Sequence, residues 1–258
     1  MSTLPALFVG HGSPLNAIAD NDYTRALHAW GGRLQALHPQ AVLCVSAHWW
    51  TPGTRVTVAE RPQTIHDFSG FPPELHRMTY PCPGAPELAA RVQALYEPGR
   101  VQADAGWGLD HGAWAVLHHL FPQADVPTVQ LSLDGRLSAQ EHWELGRRLR
   151  PLREEGVLIL GSGNVVHSFV GARSGNGTPQ PWAQAFDAHV KTAILAGDHA
   201  ALIHYEGFGN AAQLSVPTPE HYLPLLYTLS VRGPGEPVAF PFEGIQMGSM
   251  SMRSVQVG

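Results

Sequence analysis

Ala41-Val42-Leu43-Cys44-Val45-Ser46-Ala47 is seven small or apolar residues without a charge, and it runs straight into His48-Trp49-Trp50. A short, continuous apolar run of this kind predicts a strand buried on both faces, the habit of a parallel sheet covered by helices. The pattern recurs twice. Ala6-Leu7-Phe8-Val9-Gly10 stops at the turn His11-Gly12-Ser13-Pro14, and Gly156-Val157-Leu158-Ile159-Leu160 leads into Gly161-Ser162-Gly163-Asn164-Val165-Val166-His167. Three predicted strands therefore each deliver a histidine at or just past their C-terminal ends.

Helical patterns fill the spaces between. Leu27, Trp30, Leu34 and Leu37 recur at helical spacing within residues 23–37, with Asp20, Asn21 and Asp22 available as caps. Similar periodicity covers 86–96, 112–120 and 182–196; Ser138 and Glu141 form a capping box ahead of a helix ending near Arg150. A further strand is expected over 126–133, a helix from near Thr218 that contains His221, and closing strands over 238–257. The Pro- and Gly-rich stretch 62–86 reads as a long ordered excursion of the kind that often forms a lid or binding loop, and 171–181 as a second loop. Strands alternating with helices predict an α/β fold: one domain over 1–258, with a central mostly parallel or mixed sheet flanked by helices on both faces. No repeat of 20 to 50 residues is evident.

Composition narrows the function. The chain is 44% hydrophobic and 14% charged with net charge −5, which suits a compact enzyme. Lys191 is its single lysine, and apart from Arg147, Arg148, Arg150 and Arg153 the arginines are scattered, so no basic stripe for nucleic acid is present. The N-terminal residues are too short and uncharged for a signal peptide, and no segment is apolar for long enough to span a membrane; a cytoplasmic protein is expected. Cys44 and Cys82 are expected as free thiols, as a reducing compartment implies. The unusual number is 15 histidines against 16 lysines and arginines together, because imidazole is the commonest metal-ligating side chain.

In open α/β sheets, sites form where loops leave the C-terminal ends of strands. His11, His48 and His167 obey that rule, and His111 and His221, beside Asp110 and Glu220, are further candidates that spacing alone does not join to the site. Gly10, Gly12 and Gly163 would let a ring approach an ion closely. Ser13 and Ser162 lie in no Gly-x-Ser-x-Gly elbow, and Gly161-Ser162-Gly163 lacks the third spaced glycine of a dinucleotide cradle.

Six ordered motifs then converge: His11-Gly12-Ser13-Pro14, Ser46-Ala47-His48-Trp49, Asp67-Phe68-Ser69-Gly70-Phe71-Pro72, Leu109-Asp110-His111-Gly112, Gly161 to His167, and Thr218-Pro219-Glu220-His221-Tyr222-Leu223-Pro224. Together, over about residues 5 to 255, they resemble the 4,5-DOPA extradiol dioxygenase family within the class III ring-cleaving superfamily. The resemblance implies metal ligation by His11, His48 and His221, with His167 and His111 as catalytic acid/base groups near the substrate. It implies Fe(II) for activity, with Zn(II) also accommodated, and cleavage of a catechol by O2 to a muconate semialdehyde-type product. The superfamily's type enzymes use two histidines and a glutamate, so Glu220 is an alternative to His221. Trp49, Phe68 and Tyr222, with the 64–71 loop, are expected to wall the substrate pocket or else to be core. Two other readings compete: a Memo-like protein-binding module on the same fold, and a chelatase-like metal-binding protein suggested by the single strand-His-Gly-Ser motif. Oligomeric state is left open.

Overall fold

The strands that are apolar at nearly every position lie side by side in the middle of one sheet. In the computed structural model, which describes residues 3–170 and 177–258, the strands run β1 (Ala6–Gly10), β2 (Ala41–Thr51), β3 (Thr54–Thr57), β4 (Val101–Asp104), β5 (Thr128–Asp134), β6 (Val157–Gly163), β7 (Val238–Phe242), β8 (Ile245–Gln246), β9 (Met250–Ser251) and β10 (Ser254–Val257). Eight of them form the main sheet in the order β4-β3-β5-β2-β6-β1-β10-β7, and β8 and β9 pair separately. The β5-β2-β6-β1 centre is parallel. β3 joins β5 antiparallel, as β10 joins β1 and β7 joins β10, so the sheet is mixed.

The helices are α1 (Asp22–Gln35), α2 (Pro73–Arg77), α3 (Pro86–Gln93), α4 (His111–Leu120), α5 (Ala139–Arg147), α6 (Pro181–Ala196), α7 (His199–Ile203), α8 (Asn210–Ser215) and α9 (Leu223–Ser230). Because successive side chains of a strand point to opposite faces, each central strand feeds two cores. Phe8, Leu43, Val45 and Ile159 pack with residues of α3, α5, α6 and α9. Leu7, Val9, Val42, Cys44, Leu158 and Leu160 pack on the other side with Leu27, Trp30 and Leu34 of α1 and Trp114 and Leu117 of α4. The expected α/β domain, with helices on both faces, is what these residues build.

Several boundaries differ for identifiable reasons. β2 continues to Thr51, so His48 is inside the strand rather than after it. Its pairing with β6 ends at Ser46↔Ser162, and its pairing with β5 shifts register between Val45 and Trp50. Such irregularities often re-aim side chains at sites. β3 and β4 have only four residues each and mix apolar with polar positions, which left no clear period in the sequence. α5 ends at Arg147, a separate 3-10 turn spans Arg150–Arg153, and the buried Arg153 guanidinium bonds the Leu4 and Val231 carbonyls and Glu236. The helix expected around His221 is a 3-10 turn, Pro219–His221, followed by α9. The 62–86 excursion holds only α2. It is pinned by Ile65 N donating to Leu109 O and Leu109 N to Gln63 O. Of the 171–181 loop, residues 171–176 lie outside the described residues. Cys44 and Cys82 are free and buried, and no helix among the described residues is long and apolar enough to cross a membrane.

One of the closest backbone approaches lies under the histidines. A Cβ on Gly163 would stand 2.1 Å from the His221 carbonyl oxygen, the acceptor for Asn164 N. Gly163→Ala is therefore expected to push the Pro219–His221 turn away from β6 and to destabilise the protein by about 1–3 kcal/mol, the usual scale of overpacking. A urea-unfolding midpoint equal to that of the unaltered chain would contradict this.

Candidate metal centre and active-site cavity

Five histidines from five segments meet at one end of the parallel strands. His11 follows β1, His48 lies in the irregular part of β2, and His111 opens α4; His167 lies four residues past β6, and His221 ends the turn before α9. Ring centroids of His11 and His48 are 5.0 Å apart, those of His48 and His111 3.9 Å, and His221 lies 5.3 Å from His11 and 5.0 Å from His48. His167 stacks on His221 at 3.5 Å with planes 3° apart. Backbone bonds hold each element: His11 N donates to Gly163 O and His167 N to Ser215 O.

The hydrogen bonds fix which nitrogens carry protons. Ser162 Oγ donates to the Gly112 carbonyl at 2.5 Å, so toward His11 Nδ1, 2.9 Å away, it can only accept. His11 is thus protonated on Nδ1 with a bare Nε2. Asp67 Oδ2 faces His48 Nδ1 at 3.3 Å and accepts from His111 Nδ1 at 2.9 Å, while Asp67 Oδ1 accepts from His111 N at 2.8 Å. The carboxylate therefore orients the His111 ring and lies beside that of His48. Glu220 Oε1 does the same for His221 Nδ1 at 3.2 Å. Asp110 serves the surrounding backbone: it caps α4 through Ala113 N and accepts from Ser46 Oγ and Gln130 Nε2.

The consequence is a set of bare Nε2 atoms turned toward one another. His11 Nε2 and His48 Nε2 are 3.1 Å apart, and the first of them is bare. His221 Nε2 is buried with no partner, a situation that costs about 1–3 kcal/mol if nothing relieves it. Two nitrogens bound about 2.1 Å from one ion lie about 3 Å apart, so the donors fit a divalent cation. Ligand atoms of His11, His48 and His111 all lie within 4.8 Å of one another.

Electrostatics keeps the rings neutral. Burial, followed by repulsion from the other imidazoles, holds His11 well below its ordinary value. The same causes bring His48 to about 2 and His167 to about 3, and burial also lowers His221. Burial pushes the Asp67 carboxyl up, but its bonds to His111 outweigh that and hold it below the usual range. Glu220 is held at about 2 by the His221 and Thr218 hydrogen bonds, which overcome its burial. Neutral donors with anions behind them are the arrangement that metal-ligating histidines commonly show.

Above the nitrogens opens a cavity of about 370 Å³, lined by His11, His48, His111 and His167 and by Leu15, Phe71, Phe169, Met247 and Met250 among others. The aromatic residues expected as walls are placed otherwise. Trp49 is buried and stacks on Trp107 at 5.6 Å, because alternation along β2 turns it away from His48. Tyr222 is fully buried, donating to Leu202 O and packed on Tyr205, so it belongs to the core. Phe68 meets His111 edge-on at 5.6 Å and supports Phe71, which takes the wall position. Phe71 stood within a quoted motif, whereas Met247 and Met250, near and on the β8–β9 hairpin, carried no signal in the sequence. Ser162 was weighed as a nucleophile and as part of a phosphate cradle; in the structure it accepts from His11 Nδ1.

Comparison with known proteins agrees with this geometry. A family described as the catalytic LigB subunit of aromatic ring-opening dioxygenase matches residues 5–226. A 4,5-DOPA dioxygenase extradiol of Escherichia coli (strain K12) is 48% identical over 261 residues, 99% of this chain and 95% of that protein. The protein of the same name from Beta vulgaris is 39% identical, covering 88% and 86% respectively. The crystal structure of an uncharacterized Escherichia coli K12 protein superposes with a TM-score of 0.86 at 45% identity, over 99% of this chain and all of that one.

Asp67→Asn, which keeps the size but removes the charge behind two rings, is expected to weaken binding of Zn(II) to the metal-free protein about 10- to 100-fold. Calorimetric titration reads this directly, and an affinity within twofold of the unaltered protein would show that Asp67 does not organise the site.

Proposed function

The chain belongs to the aromatic ring-opening dioxygenase family of catalytic LigB subunits, and from that premise we propose that it is an Fe(II)-dependent enzyme that opens a catechol, DOPA or a relative of it, with O2. Residues 1–258 act as one catalytic unit, placed in the cytoplasm. Both oxygen atoms enter the product, a muconate semialdehyde-type compound. The observation that carries the reading is the convergence of buried imidazoles, the Nε2 atoms of His11 and His48 3.1 Å apart and that of His221 unpartnered, beneath a cavity of ligand size.

His11, His48 and His221 are the proposed ligands. His221 is chosen as the third because its Nε2 is buried and unpartnered, while His111 and His167 line the cavity and are free to serve substrate. A specific observation favours a second reading: His111, not His221, completes the tightest trio of donor atoms. When bound, Fe(II) would supply the Lewis acidity and the electrons that dioxygen chemistry with a catechol requires. An all-imidazole donor set also accepts Zn(II).

The remaining work falls to the protein. His167, neutral and on the cavity wall, takes a proton from a diol hydroxyl as general base. Its stacking on His221 fixes the ring. His111, whose Nδ1 is tied to Asp67, presents its Nε2 to the substrate and assists as the second acid/base group. Phe71, Phe169 and the two methionines enclose the aromatic ring.

After anaerobic loading with Fe(II), the protein is expected to consume oxygen with catechols and to give a yellow product. His11→Ala and His48→Ala should lose the metal by elemental analysis, and His167→Ala should retain it while turnover falls by about 100-fold or more. His221→Ala losing the metal while His111→Ala keeps it supports the first ligand set; the reverse supports the second. No oxygen uptake across a broad catechol panel would defeat the ring-opening proposal.

A further inference from the structure

We propose that the chain carries a second ligand site, remote from the histidines: a cavity that binds small anions bearing two linked phosphates. Its origin is visible in the sequence, where Arg147, Arg148, Arg150 and Arg153 concentrate positive charge. In the structure Arg153 turns inward to the Leu4 and Val231 carbonyls and Glu236. The other three stay exposed and are joined by Arg232, which lies just past α9. These four arginines line one cavity of about 780 Å³, with Trp143, His199 and Glu144 among its other walls. Four of the chain's 16 lysine and arginine side chains thus meet at one opening, in a protein of net charge −5.

The cavity lies at the end of the sheet away from the histidines. α9 starts just past His221 and ends at Ser230, which lines the cavity, and the 3-10 turn Arg150–Arg153 precedes β6, whose far end leads to His167. The proposal is therefore independent of the metal centre and of ring opening.

Local structure accounts for only part of this charge. Arg147 sits in the last turn of α5, where it answers the helix dipole, and it pairs with Glu144 at 3.2 Å. Both partners are more than half exposed, so the pair contributes little and yields to a stronger anion. Arg232 is fixed in place, its Nε and Nη2 donating to the Glu236 carbonyl and its Nη1 to Ile194 O. Those acceptors are neutral, and the Glu236 carboxylate is itself engaged by Arg153 and Gly233 N. Arg150 packs over the bare backbone of Gly233, where a Cβ would stand 3.0 Å from its Nη2. Glu144 is the one carboxylate among the lining residues, so four positive charges less one negative leave an excess of three.

An excess of that size suits two linked phosphates, which carry about −3, better than a single phosphate of about −2. Guanidinium forks match phosphate oxygens two at a time. The exposed His199 ring packs on the buried Trp143 at 4.6 Å and gives the cavity a flat side on which an aromatic base can lie. Inorganic pyrophosphate and a nucleoside diphosphate share the required chemistry, and the test separates them.

Calorimetric titration reads binding to the full chain, stripped of metal so that the probe does not act as a chelator. Pyrophosphate is expected to bind one per chain, with a Kd of about 100 µM or tighter at low ionic strength and about tenfold or more below that of sulfate. Arg147→Gln and Arg150→Gln, both at exposed positions, should each weaken it by about fivefold or more, and Arg150→Lys should restore only part of the loss. Arg33→Gln, at an exposed position on α1, should leave Kd within about twofold, because a single distant charge is screened. ADP binding more tightly than pyrophosphate supports the site with a nucleotide as its ligand; equal affinity supports it with the diphosphate group alone. The site is overturned by no binding of either probe at about 1 mM, by equal affinity for sulfate, by an unchanged Kd in both glutamine variants, or by an equal loss in Arg33→Gln.

Discussion

The proton on Nδ1 of each metal-facing histidine is the constraint on which the rest of the structure depends. An imidazole has two nitrogens and, when neutral, one proton, so fixing that proton on the outer nitrogen forces the inner one to be a bare donor. Ser162, Asp67 and Glu220 do this for His11, His111 and His221, and Asp67 also faces His48 Nδ1. Each partner is itself held. Ser162 is committed to the Gly112 carbonyl, Asp67 to the amide of His111, and Glu220 to Thr218. The 3.1 Å approach of the His11 and His48 Nε2 atoms is thus set by side chains on β6 and the 62–86 excursion.

The sheet explains why such distant residues can be held so closely. β1, β6 and β2 are adjacent and parallel, so the histidines that follow or interrupt them emerge on one side. α4 and the turn before α9 approach from opposite faces. Their approach depends on missing side chains as much as on present ones: a Cβ on Gly112 would meet Ser46 Oγ and the His48 ring, and one on Gly163 the His221 backbone. The glycines of the histidine motifs are clearance for rings and turns.

Most of this frame was legible in the sequence because the central strands are uninterrupted apolar runs, and burial on both faces leaves no other use for them. The edge strands β3 and β4 were not, since four half-polar residues carry too little period to separate from loop. The histidines at β1, β2 and β6 could be grouped by topology alone, whereas His111 and His221 were joined to them only through resemblance. Their placement depends on long-range contacts, such as Asp67 reaching 44 residues ahead to His111. Trp49 shows the limit of reading neighbours as partners. Standing beside His48 in a strand puts it on the other face of the sheet, and the sequence reading had ended that strand at Ala47.

Where the charge sits also bears on what the site can do. In a donor set that contained a carboxylate, the anion would touch the ion and share its coordination. Here the carboxylates of Asp67 and Glu220 stand one imidazole behind, joined through Nδ1–H bonds to His111 and His221 and close to His48 Nδ1. Such bonds raise the basicity of the ligating nitrogen without placing a full charge on the ion. A neutral set favours the divalent state over the trivalent one, and it leaves more of the ion's positive charge to the substrate. In the proposed reaction a catechol hydroxyl is then easier to deprotonate, and His167, which burial makes a weak base, would accept the proton only when that charge is present. Under that proposal, the same burial that keeps His167 neutral couples its action to occupancy of the centre.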